Sequence, residues 1–342
     1  MQNFLSNKRV LVTGVCGTVG REITRMLLSG DFGELAELIG IDNNESELFF
    51  VAQEFNQPSA QFFLRDLRDY PGLQEVCQNV DVVFHAAALK HVGICELSPS
   101  EAVQTNIIGL QNLINAAKRC RVEHFIFTSS DKAVNPTNVM GTSKLMGERL
   151  VTAANNSREN RGTIFASTRF GNVLGSRGSV VPIFHDQILQ GKDITLTSPE
   201  MTRFIMSISE AANLVIASAA EAKGGEVFIT KMPVIRIQDL AEVMVEMLVE
   251  KHSLAKQSNI IEIGVKPGEK IYEELMSDEE TSRALETDQY FVVLPAFRDM
   301  YDVEYSYNNE VANALLKPYK SSEEVMLNQA ELKDYLQKFD IV

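Results

Sequence analysis

Apolar residues occur in short continuous runs separated by longer stretches of helical spacing, and this alternation persists through the first half of the chain. Arg9 to Thr13 (RVLVT) is the pattern of a buried strand, and the residues after it place Ile23, Met26 and Leu27 on one helix face. Further strand patterns fall at about Leu35 to Ile41, Gln61 to Leu64, Asp81 to His85, Phe125 to Phe127 and Thr163 to Thr168. Helix patterns lie between them at about Ser98 to Cys120 and Val139 to Asn155. Strands this short and uniformly apolar, alternating with helices, imply an α/β fold with a doubly wound parallel sheet and right-handed crossovers. Beyond Thr168 the units shorten. A helix over Ser209 to Ala222 capped by Ser209, a strand at Gly225 to Ile229, a helix over Ile237 to Glu250 and a strand at Ile260 to Ile263 are expected. The last ~40 residues are acidic, with weak patterns only.

Length and composition narrow the function. A chain of 342 residues can bury a full core, and 45% hydrophobic with 23% charged residues is ordinary for a soluble globular protein. No apolar run approaches the ~20 residues of a membrane span. The opening MQNFLSNKRVLVTG runs straight into a strand, so no signal peptide and a cytoplasmic location are expected. A net charge of −14 argues against a nucleic-acid partner, while leaving room for a locally basic site. Cys16, Cys77, Cys95 and Cys120 have no metal-ligand spacing, and no metal is expected.

Two stretches carry chemistry. After the first strand come Gly14, Gly17 and Gly20, with Thr18 and Val19 opening the helix. Such glycines allow a tight turn, close approach of backbone to a pyrophosphate and close helix–strand packing. Asp42, beside Asn43, follows Gly20 by 22 positions at the end of the second strand. An acid there hydrogen-bonds ribose hydroxyls and repels a 2′-phosphate, which favours NAD over NADP. The second stretch, FIFTSSDKAVNPTNVMGTSKLMGERLV from Phe125 to Val151, places Thr128, Ser129, Ser130, Asp131 and Lys132 at a strand's C-terminal end, where open parallel sheets bind ligands. Met140 and Lys144, four apart, share a face of the following helix.

SSDKAVNPTNVMGTSK closely resembles the active-site motif of sugar-nucleotide 4,6-dehydratases of the CapD-like polysaccharide-biosynthesis family, extended short-chain dehydrogenase/reductases. In particular it resembles the subgroup with methionine, here Met140, in place of the tyrosine. RFGNVLGSRGSVVPIF and KPGEKIYEEL also match, and the resemblance runs from about Arg9 to Leu294. It implies a Rossmann NAD-binding domain over 1–171, with returning segments at about 204–256. A smaller mixed α/β region, mainly 172–342, would bind substrate. Asp66 and Leu67 would flank the adenine, Ala86, Ala87 and Ala88 would let backbone press on the cofactor, Thr128 would line its site, and Asn106 would support it. Lys90, His91, Asn172, Ser179, Arg203, Lys266 and Glu269 would contact a UDP-N-acetylhexosamine.

The chemistry so implied oxidises C4, eliminates water across C5 and C6, and returns the hydride to C6. Lys132 would remove the C5 proton, made neutral by desolvation and by Lys144 nearby. Asp131 would accept the 4-hydroxyl proton and protonate the C6 hydroxyl. Ser130 would orient the 4-hydroxyl and Lys144 would hold the nicotinamide ribose. A thioether cannot give up a proton as a phenol does, so Met140 removes the usual base. A 4-epimerase or reductase, a dehydratase with 5-epimerase activity, and a silent NAD-binding regulator are the alternatives. A homo-oligomer, dimer or higher, is expected.

Overall fold

In the computed structural model, residues 3–254, 258–265, 268–300, 303–307, 310–313 and 317–342 are described. Six parallel strands are each one step of a strand–helix alternation: β1 (Arg9–Thr13), β2 (Glu37–Asp42), β3 (Ala60–Leu64), β4 (Val82–His85), β5 (His124–Thr128) and β6 (Ile164–Arg169). They lie in the order β3, β2, β1, β4, β5, β6, followed by the parallel strand Val227–Thr230. Reversal of strand order beside β1 makes the switch point at which a crevice opens.

The strands are apolar on both faces because both are covered. Val10 and Val12 of β1 enter one core with Ile23 and Leu27 of helix Thr18–Leu28, joined by Ala211 and Val215 of helix Ile208–Glu221. Leu11, pointing the other way, enters a second core with Leu113, Ile114 and Val151 from helices Leu110–Cys120 and Val139–Asn155. The parallel sheet does not end there. Strands Tyr290–Val293, Ala284–Thr287 and Glu310–Asn313 continue it antiparallel beyond Val227–Thr230.

A third core, with Leu174, Ile205, Ile235, Leu240, Leu332 and Leu336, sits among helices Val180–Leu189, Ile237–His252 and Gln329–Lys338. Among the described residues no helix is long and apolar enough to cross a membrane.

Two local expectations are corrected. The helix expected to begin at Ser209 is capped by Ser207, whose hydroxyl accepts the Glu210 N–H while the Glu210 carboxylate accepts the Ser207 N–H. The single helix expected over Ser98 to Cys120 is instead a short turn, Pro99–Ala102, then a π-helical segment, Val103–Gly109, then Leu110–Cys120.

Candidate active site

The glycine turn sets the floor of the first cleft. Gly14 has φ +73°, and a side chain there would meet Ala87 Cα at 2.7 Å; one at Gly20 would meet the Gly14 carbonyl at 2.1 Å. Helix Thr18–Leu28 starts from Gly17 with no side-chain cap, leaving its first N–H groups for an anion. Above them is a cleft of about 280 Å³. It gathers Gly14, Gly17, Asp42, Asn43, Asp66, Leu67, Ala86, Ala87 and Ala88.

Asp42 accepts the N–H of Cys16 at 3.0 Å and that of Asn44 at 3.0 Å, so it braces the turn while facing the cleft. Capping of the next helix falls to Asn44, which accepts the Glu47 N–H. The guanidinium and backbone N–H of Arg68, with Asn43, hold Asp66 below the usual carboxylate range. A glycine cradle, a bare helix N-terminus and an acid at the second strand end together fit a dinucleotide. Thr18 accepts the Arg177 N–H, and Val19 and Gly20 lie in the helix's first turn behind the cleft.

Asn106 explains the π-helical segment. Its amide accepts the Leu89 N–H at 2.8 Å and donates to the Leu89 carbonyl at 2.9 Å and the Ser143 hydroxyl at 2.9 Å. The wider helical turn brings it to the end of β4 and pins the Ala86–Leu89 strand end to helix Val139–Asn155. Asn106→Ala leaves those backbone groups unpaired and is expected to cost about 1–3 kcal/mol, read as a lower urea midpoint.

The second cleft, about 500 Å³, lies where β5 and β6 meet the third core. It brings together Lys132, Asn172, Ser179, Arg203 and Glu269. The Ser179 hydroxyl is buried without a partner among the described residues, ready for a ligand. Lys266 lies outside the described residues. Lys90 donates to the Arg177 carbonyl at 2.8 Å, and His91 sits at the N-terminus of helix Val92–Leu97, its ring 2.7 Å from where a Gly178 side chain would begin.

Several expected partners stand behind the clefts. Asp131 is 1% exposed and lines neither; the Ser130 hydroxyl donates to it at 2.6 Å and Lys132 Nζ lies 3.1 Å away. Burial works against the Asp131 charge, but Lys132 and Ser130 hold it below the usual aspartate range. Lys132 is a correction. Burial opposes its ammonium, yet Asp131 and Glu273 more than offset this and raise it above the ordinary lysine value, the reverse of the neutral amine expected.

The neutral tendency belongs to Lys144, pushed by burial down to about 8. It donates to the Thr128 carbonyl at 2.8 Å, and Thr128 in turn donates to the His85 carbonyl. Met140 packs with Cys95 and Ala102 and lines neither cleft. The Arg203 guanidinium is largely occupied, by the carbonyls of Thr202, Lys270 and Ile271 and by Glu273, which leaves at most one N–H for a phosphate.

Two cleft-lining positions escape sequence reading. Arg177 lines the first cleft and pairs with Glu47 at 2.9 Å; it lies within RFGNVLGSRGSVVPIF, where the resemblance pointed to Asn172 and Ser179 instead. Glu273 lines the second cleft beside Lys132. It lies within KPGEKIYEEL, where the resemblance pointed to Glu269 instead.

Known proteins match this chain along nearly all its length. It is 46% identical over 339 residues to an uncharacterized membrane protein of Methanocaldococcus jannaschii, covering 99% of this chain and 98% of that one. It is 36% identical over 337 residues to a UDP-glucose 4-epimerase of Rickettsia felis, covering 98% and 97%. The X-ray structure of Pen from Bacillus thuringiensis superposes with a TM-score of 0.89 at 38% identity, covering 98% of each chain. Residues 10–295, from β1 through the antiparallel strand Tyr290–Val293, match the polysaccharide biosynthesis protein family, and the chain belongs to it.

Proposed function

We propose that the chain is an NAD-dependent 4,6-dehydratase, converting UDP-N-acetylglucosamine to a UDP-4-keto-6-deoxy-hexosamine. Family and fold support the broader class, a sugar-nucleotide enzyme of the dehydratase and epimerase kind. One observation favours dehydration: a half-buried lysine facing the sugar cleft, Lys132, is held between two carboxylates, whereas the phenol that a 4-epimerase uses is replaced by Met140, packed into an apolar cluster. Epimerisation needs no proton transfer at C5 or C6.

Bound NAD supplies the acceptor for the C4 hydride and its return to C6. Ser130, bonded to Asp131 at 2.6 Å, passes the 4-hydroxyl proton to that carboxylate. With Asp131 neutral, the leading charge that supports the Lys132 ammonium is gone, and burial favours the amine that can take the C5 proton. A 4-ketone makes that proton acidic.

Incubation with UDP-N-acetylglucosamine and no added NAD should give a product lighter by one water, with a new C6 methyl signal by proton NMR. The 36% relative named an epimerase favours a second outcome, a product of unchanged mass inverted at C4. No conversion, with NAD added and with GDP-N-acetylglucosamine also tried, would leave the silent NAD-binding protein.

A further inference from the structure

Sequence reading gives Asp131 two jobs, taking the 4-hydroxyl proton and protonating the C6 hydroxyl, yet the Asp131 carboxylate does not line the sugar cleft. A second carboxyl does. We infer that Glu273 is the acid that protonates the leaving C6 hydroxyl, paired with Lys132 across the cleft; this rests on the dehydratase function above.

Glu273 is 3% exposed, and its Oε1 lies 3.4 Å from Lys132 Nζ and 3.4 Å from Arg203 Nε. Its Oε2 is buried and meets no donor among the described residues. The backbone is fixed on both sides, its N–H donating to the Ser321 hydroxyl at 2.9 Å and its carbonyl accepting the Ser321 N–H at 2.9 Å. Arg203 clamps the carbonyls of Lys270 and Ile271 just before it. A rigid mount, a place in the lining of the sugar cleft and a carboxyl oxygen that no donor holds suit a group that hands a proton to substrate. Burial, then the facing Asp131 carboxylate, push the Glu273 carboxyl up, while Asp131 is held down. Two carboxyls driven apart in this way divide acid from base.

The proton count closes. Once Asp131 holds the 4-hydroxyl proton, Lys132 passes a proton to Glu273, giving an amine beside a carboxylic acid. The amine takes the C5 proton. The C5–H electron pair forms the C5–C6 double bond, the C6–O bond breaks, and the Glu273 proton goes to the departing oxygen as water. Lys132 and Glu273 are then ammonium and carboxylate again. When the hydride reaches C6, Lys132 protonates C5 and Asp131 returns its stored proton to Lys132.

Glu273→Gln should lower kcat by on the order of 100-fold with KM within about threefold of the unaltered protein. Quenching the variant's reaction in borodeuteride should reveal a sugar labelled at C4 that still carries its 6-hydroxyl, because the cycle stalls after oxidation. Glu273→Asp, which keeps an ionisable group, should recover roughly tenfold of the loss. A kcat within about threefold for Glu273→Gln, a slow Glu273→Gln without the C4 label, or no recovery in Glu273→Asp would each overturn the assignment. Failure of the unaltered protein to dehydrate the sugar would overturn the function itself; dehydration by it alongside a fully active Glu273→Gln removes Glu273 alone.

Discussion

Asp131→Asn is expected to keep the cofactor and lose turnover by roughly 10²–10⁴. The amide retains the size of the carboxylate and can still accept the Ser130 hydroxyl bond, so the short helix Asp131–Ala133 should stay in place. Asp131 lines neither cleft, and binding of NAD, followed by calorimetry, should be near normal. What disappears is the store for the 4-hydroxyl proton and the leading charge that holds Lys132 as an ammonium. The block therefore falls before C4 oxidation. A borodeuteride quench of Asp131→Asn should show no C4-labelled sugar, which separates it from Glu273→Gln, stalled one step later. Near-normal kcat in Asp131→Asn would sink the role given to this carboxylate.

How much of this was legible depends on how local each signal is. Helix Val139–Asn155 appears with the bounds its pattern predicts, because Asn138 marks its start by accepting the Gly141 N–H and apolar spacing carries it through. The glycine turn and Asp42 were readable for the same reason: spacing along one strand–helix unit fixes their geometry. Ser207 was within reach and missed, since Ser207 and Glu210 spell a capping box. The π-helical segment was not within reach, because a widened turn shifts the face by one residue and leaves no periodic signature. Glu273 was harder still. It meets Lys132 across 141 positions of sequence, and nothing local distinguishes it from Glu274, whose carboxylate turns to Asn135. The loss of the tyrosine was plain at Met140, but its packing against Cys95 depends on a helix that begins 48 positions earlier. The Lys132 charge state reversed because the ammonium folds back onto its sequence neighbour Asp131, a contact the sequence does not show, and meets the distant Glu273 as well.

Arg169→Met is expected to destabilise the protein by about 3–5 kcal/mol, the largest effect on stability from any single change considered for this chain. Arg169, 1% exposed, ends β6 and uses all five N–H groups. Two go to Glu148, at 2.9 and 2.6 Å, two to Glu280, each at 3.0 Å, and one to the Leu275 carbonyl at 2.7 Å. Glu148 lies on the helix that carries Lys144, and Glu280 follows the strand that begins just after Glu273. One guanidinium thus ties the sheet to both segments that present acid–base groups. Removal of Arg169 strands two buried carboxylates, and that uncompensated charge, not the lost pair itself, sets the cost. The pH dependence gives a second check. Arg169 and the Ser277 N–H outweigh burial and hold Glu280 down, from 4.5 to about 2. A depressed carboxylate contributes stability that is fully present above pH 4.5 and is lost as pH falls through about 2. In Arg169→Met burial is opposed only by the Ser277 N–H and by Arg283 at 3.9 Å, so Glu280 is expected to rise, the sign to invert and acidification to favour the folded state at this site. Urea midpoints of the two proteins should therefore lie far apart at pH 7 and converge towards pH 3. A constant gap across that range would show that the arginine acts through packing and not through charge.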